Sequence, residues 1–353
     1  MKYKRYTLAE LVSIKYGKNQ KKVLADEGKF PIYGTGGLMG YATEYLYDKP
    51  SVLIGRKGTI GKVKYVDHPF WTVDTLFYTI VNTEIVIPKY LYYVMSLVDL
   101  NNYNEGTTIP SLRTETLNRL EFDIPSLEEQ EMILSCLNPI DEKIKLNNAI
   151  NNNLEQQVSA LYQSWFEDFD LSDGCCPDNW TNKTLSDIAY VSSGKRPPIK
   201  KETYSQETPI PIVGAASVMG FTSEANHTDK ILVTGRVGTH GVIQRFNAPC
   251  WTSDNTLVIT SSYYEFTNQI LRRIDYSSMN RGSTQPLITQ GDMNKVDILV
   301  PDDEILAKFE ELAGTLMAQY EANILESIKL AFIRDSLLPK LMSGELDVSN
   351  IDL

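Results

Sequence analysis

The feature that most constrains this chain is an internal duplication. Residues 55–61 (GRKGTIG) recur as residues 235–241 (GRVGTHG), with five identities in seven at an offset of 180. The same offset carries WTVD at 71–74 onto WTSD at 251–254, and neighbouring matches lie at offsets of 177 and 176. Small insertions in loops explain such a drift. The duplication predicts two similar domains in one chain.

Each repeat combines strand and helix patterns. Short apolar runs at 52–54 and 63–66 flank the Gly-Arg loop and predict strands, and the runs at 231–233 and 242–243 repeat them. Helices are predicted over 88–98, with Pro88 in the first turn, and over 265–274. The glycine-rich residues 34–40 resemble a dinucleotide-binding loop, but Met39 stands where the third glycine belongs, which favours a turn. The domains are therefore predicted to be α+β.

Two further segments have mostly apolar residues at the spacing of a coiled-coil seam, alternately four and three in the first segment, with the second following at an offset of about 176. In the first segment these are Ile133, Leu137, Ile140, Ile144, Asn147, Asn151, Leu154, Val158, Leu161 and Trp165. In the second they are Phe309, Leu316, Tyr320, Asn323, Leu330, Leu337 and Leu341. One such stripe cannot be buried alone, so the two are expected to pair as antiparallel helices within the chain.

Prolines and asparagines refine this prediction. Asn138 and Pro139 predict the start of a new helix, so that a short helix leads into a long one of roughly 40 Å ending at Phe166. Pro339 is expected to limit the second long helix. Asn147 and Asn323 occupy equivalent seam positions, which suggests that they fix the register of the pair.

The charge follows the same division. The 353 residues carry a net charge of −11, and the excess acid falls in two blocks of −7 each, at 126–170 and 302–353. Residues 1–125 carry +3 and residues 171–301 carry 0. The prediction is an α+β chain of two globular domains, 1–125 and 171–301. Two long antiparallel coiled-coil spacer helices, in 126–170 and 302–353, separate them with pseudo-twofold symmetry.

Several classes of function find no support. Cys136, Cys175, Cys176 and Cys250 lack metal-ligand spacing, and none of the three histidines is paired with a cysteine or another histidine at such spacing. No phosphate-binding loop, nucleophile elbow or membrane-spanning run occurs. A non-catalytic cytoplasmic protein without a metal or cofactor of its own, and without a membrane partner, is expected.

Binding remains, and double-stranded DNA is the predicted ligand. An arginine in a glycine-rich loop can bond guanine or a phosphate, while the glycines allow close approach or simply a tight turn. The lysines beside Gly17 and Gly194 could contact phosphates or lie on a solvated surface. The hydroxyl and amide side chains at 107–108 and 283–285 could donate hydrogen bonds to DNA, or could instead cap helices and turns. Trp71 and Trp251 are interpreted as core. The candidate DNA contacts are Lys18, Arg56, Lys57, Thr59, Thr107, Thr108, Lys195, Arg196, Arg236, Thr239, Ser283, Thr284 and Gln285.

Three junctions carry a family resemblance. Residues 124–133 (IPSLEEQEMI), 161–169 (LYQSWFEDF) and 337–346 (LLPKLMSGEL) resemble, in this order, the spacer-helix entry, its exit and the C-terminal signature of specificity subunits of type I restriction-modification enzymes. Residues 282–288 also resemble a segment that closes target-recognition domains. The resemblance covers nearly the whole chain.

Membership of that family would imply two target-recognition domains that read the halves of an asymmetric DNA site across an unspecified gap. It would also imply docking of two modification subunits, which carry S-adenosylmethionine and methylate adenine, and of restriction subunits that use ATP and Mg²⁺. The second helix begins PDDEIL at 301–306 and lacks the Glu129-Gln130 pair of the first. The two docking surfaces are therefore expected to differ.

Two rival interpretations stay open at this point. A stand-alone DNA-binding protein would need more positive charge than +3 and 0 in its domains. A purely structural coiled-coil scaffold would explain the helices but not the repeated Gly-Arg loops.

Overall fold

The computed structural model describes residues 2–279 and 287–348. The chain divides into two compact units. Unit 1 consists of residues 1–146 and 325–353, and unit 2 consists of residues 147–324.

Unit 1 contains nine strands and three short helices among the described residues, together with parts of two long helices. Its strands are β1 Lys4–Thr7, β2 Val12–Tyr16, β3 Phe30–Gly34, β4 Gly37–Ala42, β5 Ser51–Gly55, β6 Val63–Val66, β7 Trp71–Thr72, β8 Leu76–Val81 and β9 Glu121–Ile124. Its short helices are α1 Leu8–Leu11, α2 Pro88–Ser96 and α3 Thr114–Asn118. The long helices are α4 Leu127–Tyr162 and α7 Asp303–Ser343, and each contributes residues to both units.

Unit 2 repeats the nine strands and has two short α-helices among the described residues. Its strands are β10 Thr181–Thr184, β11 Ala189–Ser193, β12 Ile210–Val213, β13 Val218–Thr222, β14 Ile231–Gly235, β15 Gln244–Phe246, β16 Trp251–Thr252, β17 Thr256–Ser261 and β18 Asp297–Val300. Its short helices are α5 Tyr264–Arg273 and α6 Gln290–Asn294.

Strand order confirms the duplication. Unit 1 has the sheets β1-β9, β2-β8-β5-β6 and β4-β3-β7, and unit 2 has β10-β18, β11-β17-β14-β15 and β13-β12-β16. In both units the edge strand of the three-stranded sheet pairs in parallel, Ile32 with Trp71 and Ile212 with Trp251, whereas the other strand pairs are antiparallel. The predicted α+β class is therefore confirmed, with the same topology in each unit.

The helix pair is antiparallel within each unit. In unit 2, Asn147 of α4 lies against Asn323 of α7, while Tyr162 at the end of α4 packs on Phe309 near the start of α7, with 6.1 Å between ring centroids. In unit 1, Arg334 bonds Asp141 at 3.0 Å. Predicted seam residues such as Ile133 and Leu137 are fully buried, which confirms the coiled-coil pattern.

Two predictions about helix ends are wrong. Helix α4 continues unbroken through Pro139, and α7 continues through Pro339 to Ser343. Both prolines lie on exposed faces of their helices, while Leu137 and Leu338 beside them are buried. Packing of the buried face outweighs the loss of one main-chain hydrogen bond at each proline.

The predicted strand at 242–243 is also misplaced, because β15 begins only at Gln244. Gly241 just before it has a φ of +76°, a turn conformation that prolongs the loop. Residues 34–40 form the predicted turn: β3 and β4 are joined by a hairpin through Thr35 and Gly36.

Candidate nucleic-acid interface

Arg56 lies in the loop between β5 and β6 and is held from two sides. Its Nη1 donates to the main-chain oxygen of Asp74 at 2.8 Å. Its guanidinium carbon lies 5.0 Å from the ring centroid of Tyr16, a cation–π distance. Tyr16 is itself 51 % exposed, so this pair presents a planar cation and an aromatic ring at the surface.

Lys18 is positioned by Trp71. The Lys18 amide donates to the Thr72 oxygen at 2.8 Å, and the Trp71 indole Nε1 donates to the Lys18 oxygen at 3.0 Å. Trp71 is only 6 % exposed, so it belongs to the core as predicted. It also fixes the lysine loop, which the sequence pattern did not indicate.

The third segment of this cluster is the loop at 106–111. The Gly58 amide donates to the Pro110 oxygen at 2.9 Å, and the Leu112 amide donates to the Arg56 oxygen at 2.9 Å. Thr107 and Thr108 are exposed on this loop, as are Lys57 and Thr59 on the Arg56 loop. We call the set Lys18, Arg56, Lys57, Thr59, Thr107 and Thr108 the first loop surface. The structure thus brings all six predicted residues of unit 1 onto neighbouring loops.

Unit 2 builds its loops in the same way. The Lys195 amide donates to the Thr252 oxygen at 2.9 Å, and Trp251 Nε1 donates to the Lys195 oxygen at 2.7 Å. The Ile288 amide donates to the Arg236 oxygen at 3.0 Å, in the pattern of Leu112 and Arg56. Lys195, Arg196 and Thr239 are exposed and Arg236 is partly exposed; with these four residues we define the second loop surface. Ser283, Thr284 and Gln285 lie outside the described residues.

The two loop surfaces differ in the residue that precedes the glycine-lysine pair. Unit 1 has Tyr16 there, under Arg56, whereas unit 2 has Ser193, whose hydroxyl accepts a bond from Gln290 Nε2 at 2.9 Å. Tyr16, Ser193 and Gln290 were not predicted from the sequence. The only available signal for Tyr16 was an aromatic residue next to a predicted basic loop.

At the start of α4, Gln130 faces inward and Glu129 beside it caps the helix. Gln130 is fully buried: its Oε1 accepts from the Ile87 amide at 2.8 Å, and its Nε2 donates to the oxygens of Ile85 and Pro125 at 2.9 and 3.0 Å. Glu129 Oε2 accepts from the amide and hydroxyl of Ser126, which caps the helix. The pair therefore joins α4 to its own unit, which gives a reason other than docking for its presence.

Unit 2 makes the equivalent junction differently. Glu310 of α7 accepts from the amides of Glu265 and Phe266 at 3.1 and 2.8 Å, at the start of α5. Burial raises the pKa of this carboxyl above its ordinary value, and the nearby Glu265 adds to the rise, against the two backbone hydrogen bonds.

Two of the three histidines contact polar groups of their own unit. His68 Nδ1 lies 3.2 Å from Asp67 and its Nε2 lies 3.0 Å from the Tyr33 hydroxyl, while His240 Nδ1 lies 3.1 Å from the Gly235 oxygen. Within residues 2–279 and 287–348, no three histidine, cysteine, aspartate or glutamate side chains are grouped to hold a metal ion. Nor does any helix in those ranges have the length and apolar character needed to cross a membrane.

Comparisons with known proteins agree with this arrangement. The specificity subunit of the type I restriction enzyme MjaIX from Methanocaldococcus jannaschii is 28 % identical, with 87 % of this chain and 80 % of that protein covered. The specificity subunit of the HindI enzyme from Haemophilus influenzae is 24 % identical, with 81 % and 84 % covered. The crystal structure of a type I restriction-modification S subunit from M. genitalium shares the fold, with a TM-score of 0.57 at 19 % identity over 97 % of this chain and 96 % of that one.

The family model for the type I restriction modification DNA specificity domain matches residues 1–156 and again residues 177–329. These two matches contain the two repeats and both described loop surfaces. The chain therefore belongs to the family of type I restriction-modification specificity proteins, which recognise DNA sequence.

Proposed function

We propose that this chain is the part of a type I restriction-modification enzyme that reads a bipartite, asymmetric DNA site, with one half read by each unit. The observation that carries the proposal is the repeated loop surface. In both units an arginine follows the central strand and a lysine loop is held by a buried or half-buried tryptophan. The guanidinium group of an arginine can form bidentate hydrogen bonds to guanine or to a phosphate, and the amine of a lysine can bond a phosphate.

Differences between the two loop surfaces support the proposal that the two units read different base sequences. Tyr16 and Ser193 occupy matching positions, and so do Lys57 and Val237. Because base readout depends on which donors and apolar groups reach the groove, two surfaces with different side chains would select different base sequences.

We further propose that the long helices set the gap between the halves. Helix α4 has 36 residues and α7 has 41. At about 1.5 Å per residue these are rods of roughly 54 and 62 Å, longer than one turn of B-DNA at roughly 34–36 Å. Their excess negative charge would keep them away from the phosphates.

The helices would also dock two modification subunits, and restriction subunits would join that complex. In unit 1, α7 exposes Leu325, Ile328 and Phe332 at spacings of three and four, with 59, 61 and 75 % of each residue exposed. Such a row forms one apolar face of a helix and is typical of a protein interface. S-adenosylmethionine, ATP and Mg²⁺ would be bound by these partner subunits, with catalysis there and not in this chain.

Methylation mapping tests the proposal. The modification subunits are expressed with and without this chain, and methylated adenines are located across the host genome. We expect methylation at one bipartite motif with a constant gap, only when this chain is present. Methylation independent of the chain would contradict the proposal, and tight specific binding of the chain alone to DNA without any partner would favour a stand-alone DNA-binding protein.

A further inference from the structure

A cavity of about 440 Å³ opens in unit 1 beside the first loop surface. It lies between the hairpin that joins β3 to β4 and the strands β5 and β6. Tyr33, Leu53 and Leu76 line it with apolar surface and are each less than 8 % exposed. A cleft of this volume with an apolar floor can hold a small organic ligand.

The rim of the cavity is positively charged. Lys62 and Lys64 both line it. Lys64 Nζ lies 4.0 Å from the ring centroid of Tyr33, and burial lowers the pKa of this amine. Neither lysine has a carboxylate within ion-pair distance in the described part of the chain. Two cations without a paired acid favour an anionic ligand.

The turn at residues 34–37 also lines the cavity. A side chain added at Gly36 or Gly37 would meet nothing within 4 Å, so the backbone here is open to the cavity. Gly37 has a φ of +116°, which a residue with a side chain rarely adopts. A ligand can therefore approach the main chain of this turn closely.

Unit 2 has replaced the groups that define this site. Val213, Val242 and Gln244 stand where unit 1 has Tyr33, Lys62 and Lys64. Gln244 Nε2 donates to the Gly214 oxygen at 2.8 Å, so this side chain bonds its own turn. The cationic cavity is thus not required by the duplicated fold, and it belongs to the first unit in particular.

We propose that this cavity binds a nucleoside monophosphate group, with the phosphate between Lys62 and Lys64 and the nucleoside over Leu53 and Leu76. The volume exceeds what a bare phosphate needs, and the apolar floor suits a planar ring. Two sources share this chemistry: a free nucleotide, or one nucleotide of a DNA strand on the first loop surface, since Thr59 belongs to both. Only the second source rests on the proposed function.

Calorimetric titration of the full chain tests the site with three probes: thymidine 5′-monophosphate, thymidine and inorganic phosphate. We expect one site per chain for the monophosphate, bound about tenfold or more tightly than either fragment, because the two parts are held together. The variant K62V/K64Q carries the residues of unit 2, so the fold accepts them. It should bind the monophosphate about tenfold more weakly, through loss of charge-assisted bonds, whereas K49Q should bind it as the wild type does.

A second arm identifies the source with a labelled DNA duplex, bound to the chain together with its modification subunits. Displacement by thymidine 5′-monophosphate in the wild type but not in K62V/K64Q supports a DNA nucleotide, and simultaneous binding supports a free one. If the monophosphate alone does not bind, a fall of about one in the salt slope of duplex binding in K62V/K64Q still supports the DNA source.

Two results overturn the proposal. One is equal affinity for inorganic phosphate and the monophosphate, which would mean a simple anion site. The other is no monophosphate binding together with unchanged duplex binding in K62V/K64Q. Neither depends on the methylation map, so failure of the cavity and failure of the proposed function can be told apart.

Discussion

Asn323 Nδ2 of α7 donates to Asn151 Oδ1 of α4 at 2.9 Å, across the buried seam of the helix pair in unit 2. Asn147 Nδ2 lies 3.4 Å from the Asn323 main-chain oxygen one turn away. All three asparagines are at most 6 % exposed. Apolar packing alone would allow one helix to shift along the other, whereas this hydrogen bond between side-chain amides forms in only one register.

The seam amides should therefore be coupled. N323L leaves the Asn151 amide buried without this partner and should lower the free energy of unfolding by about 1–3 kcal/mol. The double variant N151L/N323L should recover most of that loss, since both polar groups are gone. Urea denaturation measures the free energy of unfolding of both variants. N148L, at an exposed position of α4, is the control. No loss in N323L, or a loss in the double variant equal to the sum of the losses in N151L and N323L, would show that the two amides are not coupled.

Arg56 and Arg236 should each serve one half-site. We expect R56A to weaken recognition of one half by about 1–3 kcal/mol and R236A to weaken the other by a similar amount. Methylation rates on sites altered in one half or the other give the measurement, with R119A as an exposed arginine control. The prediction fails if either single variant weakens both halves equally.

Gln130 should matter for the stability of unit 1. Q130A removes three hydrogen bonds to buried main chain, so we expect a loss of about 1–3 kcal/mol or more in the free energy of unfolding. Q156A, at an exposed position of the same helix, should change little. Chemical denaturation of both variants checks this, and similar losses would contradict the structural role of Gln130.

Glu310 should give unit 2 a distinctive pH dependence. Because burial raises its pKa in the folded chain, the folded state holds a proton that the unfolded state has already lost in the window above the ordinary value of 4.5. Its contribution to stability is therefore complete below that value and declines as the pH rises through the raised pKa. The difference in unfolding free energy between wild type and E310Q, measured by denaturation from pH 4 to 8, should follow this decline. A pH-independent difference would count against it.

Phe332 should belong to the docking face for a modification subunit. Replacing this 75 % exposed side chain by serine removes apolar area without affecting the core, so F332S should fold normally yet retain less modification subunit on co-purification. L346S, at another exposed apolar position outside the row, is the control. Unchanged retention in F332S would place the docking face elsewhere.

Much of the fold could be predicted because the sequence contains two copies of the same pattern. The repeated loop at 55–61 and 235–241, together with the spacing of Ile133, Leu137 and Val158, led to the α+β domains and the antiparallel helices. Patterns of this kind are local and periodic, so they can be recognised in the sequence without knowledge of tertiary contacts.

Other features depend on partners distant in sequence. Pro139 remains within α4 because it lies on the exposed face of the helix. The sequence around it does not show which face is exposed. Arg245 and Glu265 form a buried ion pair at 2.7 Å, although Tyr65 occupies the position of Arg245 in the first repeat. Likewise, Tyr16 under Arg56 could be recognised only once the two loops were seen side by side. The predicted DNA roles of the loop residues stay predictions, as do the four domain boundaries.

The division of the long helices also bears on biosynthesis. Unit 2 is one continuous stretch, residues 147–324, whereas unit 1 needs residues from 325 onward to complete its helix pair. A ribosome therefore releases everything unit 2 requires before unit 1 can close, although unit 1 is translated first. The helix pair of unit 2 can therefore form once residue 324 has been synthesised, whereas the first part of α4 keeps its apolar seam uncovered until the residues from 325 onward follow.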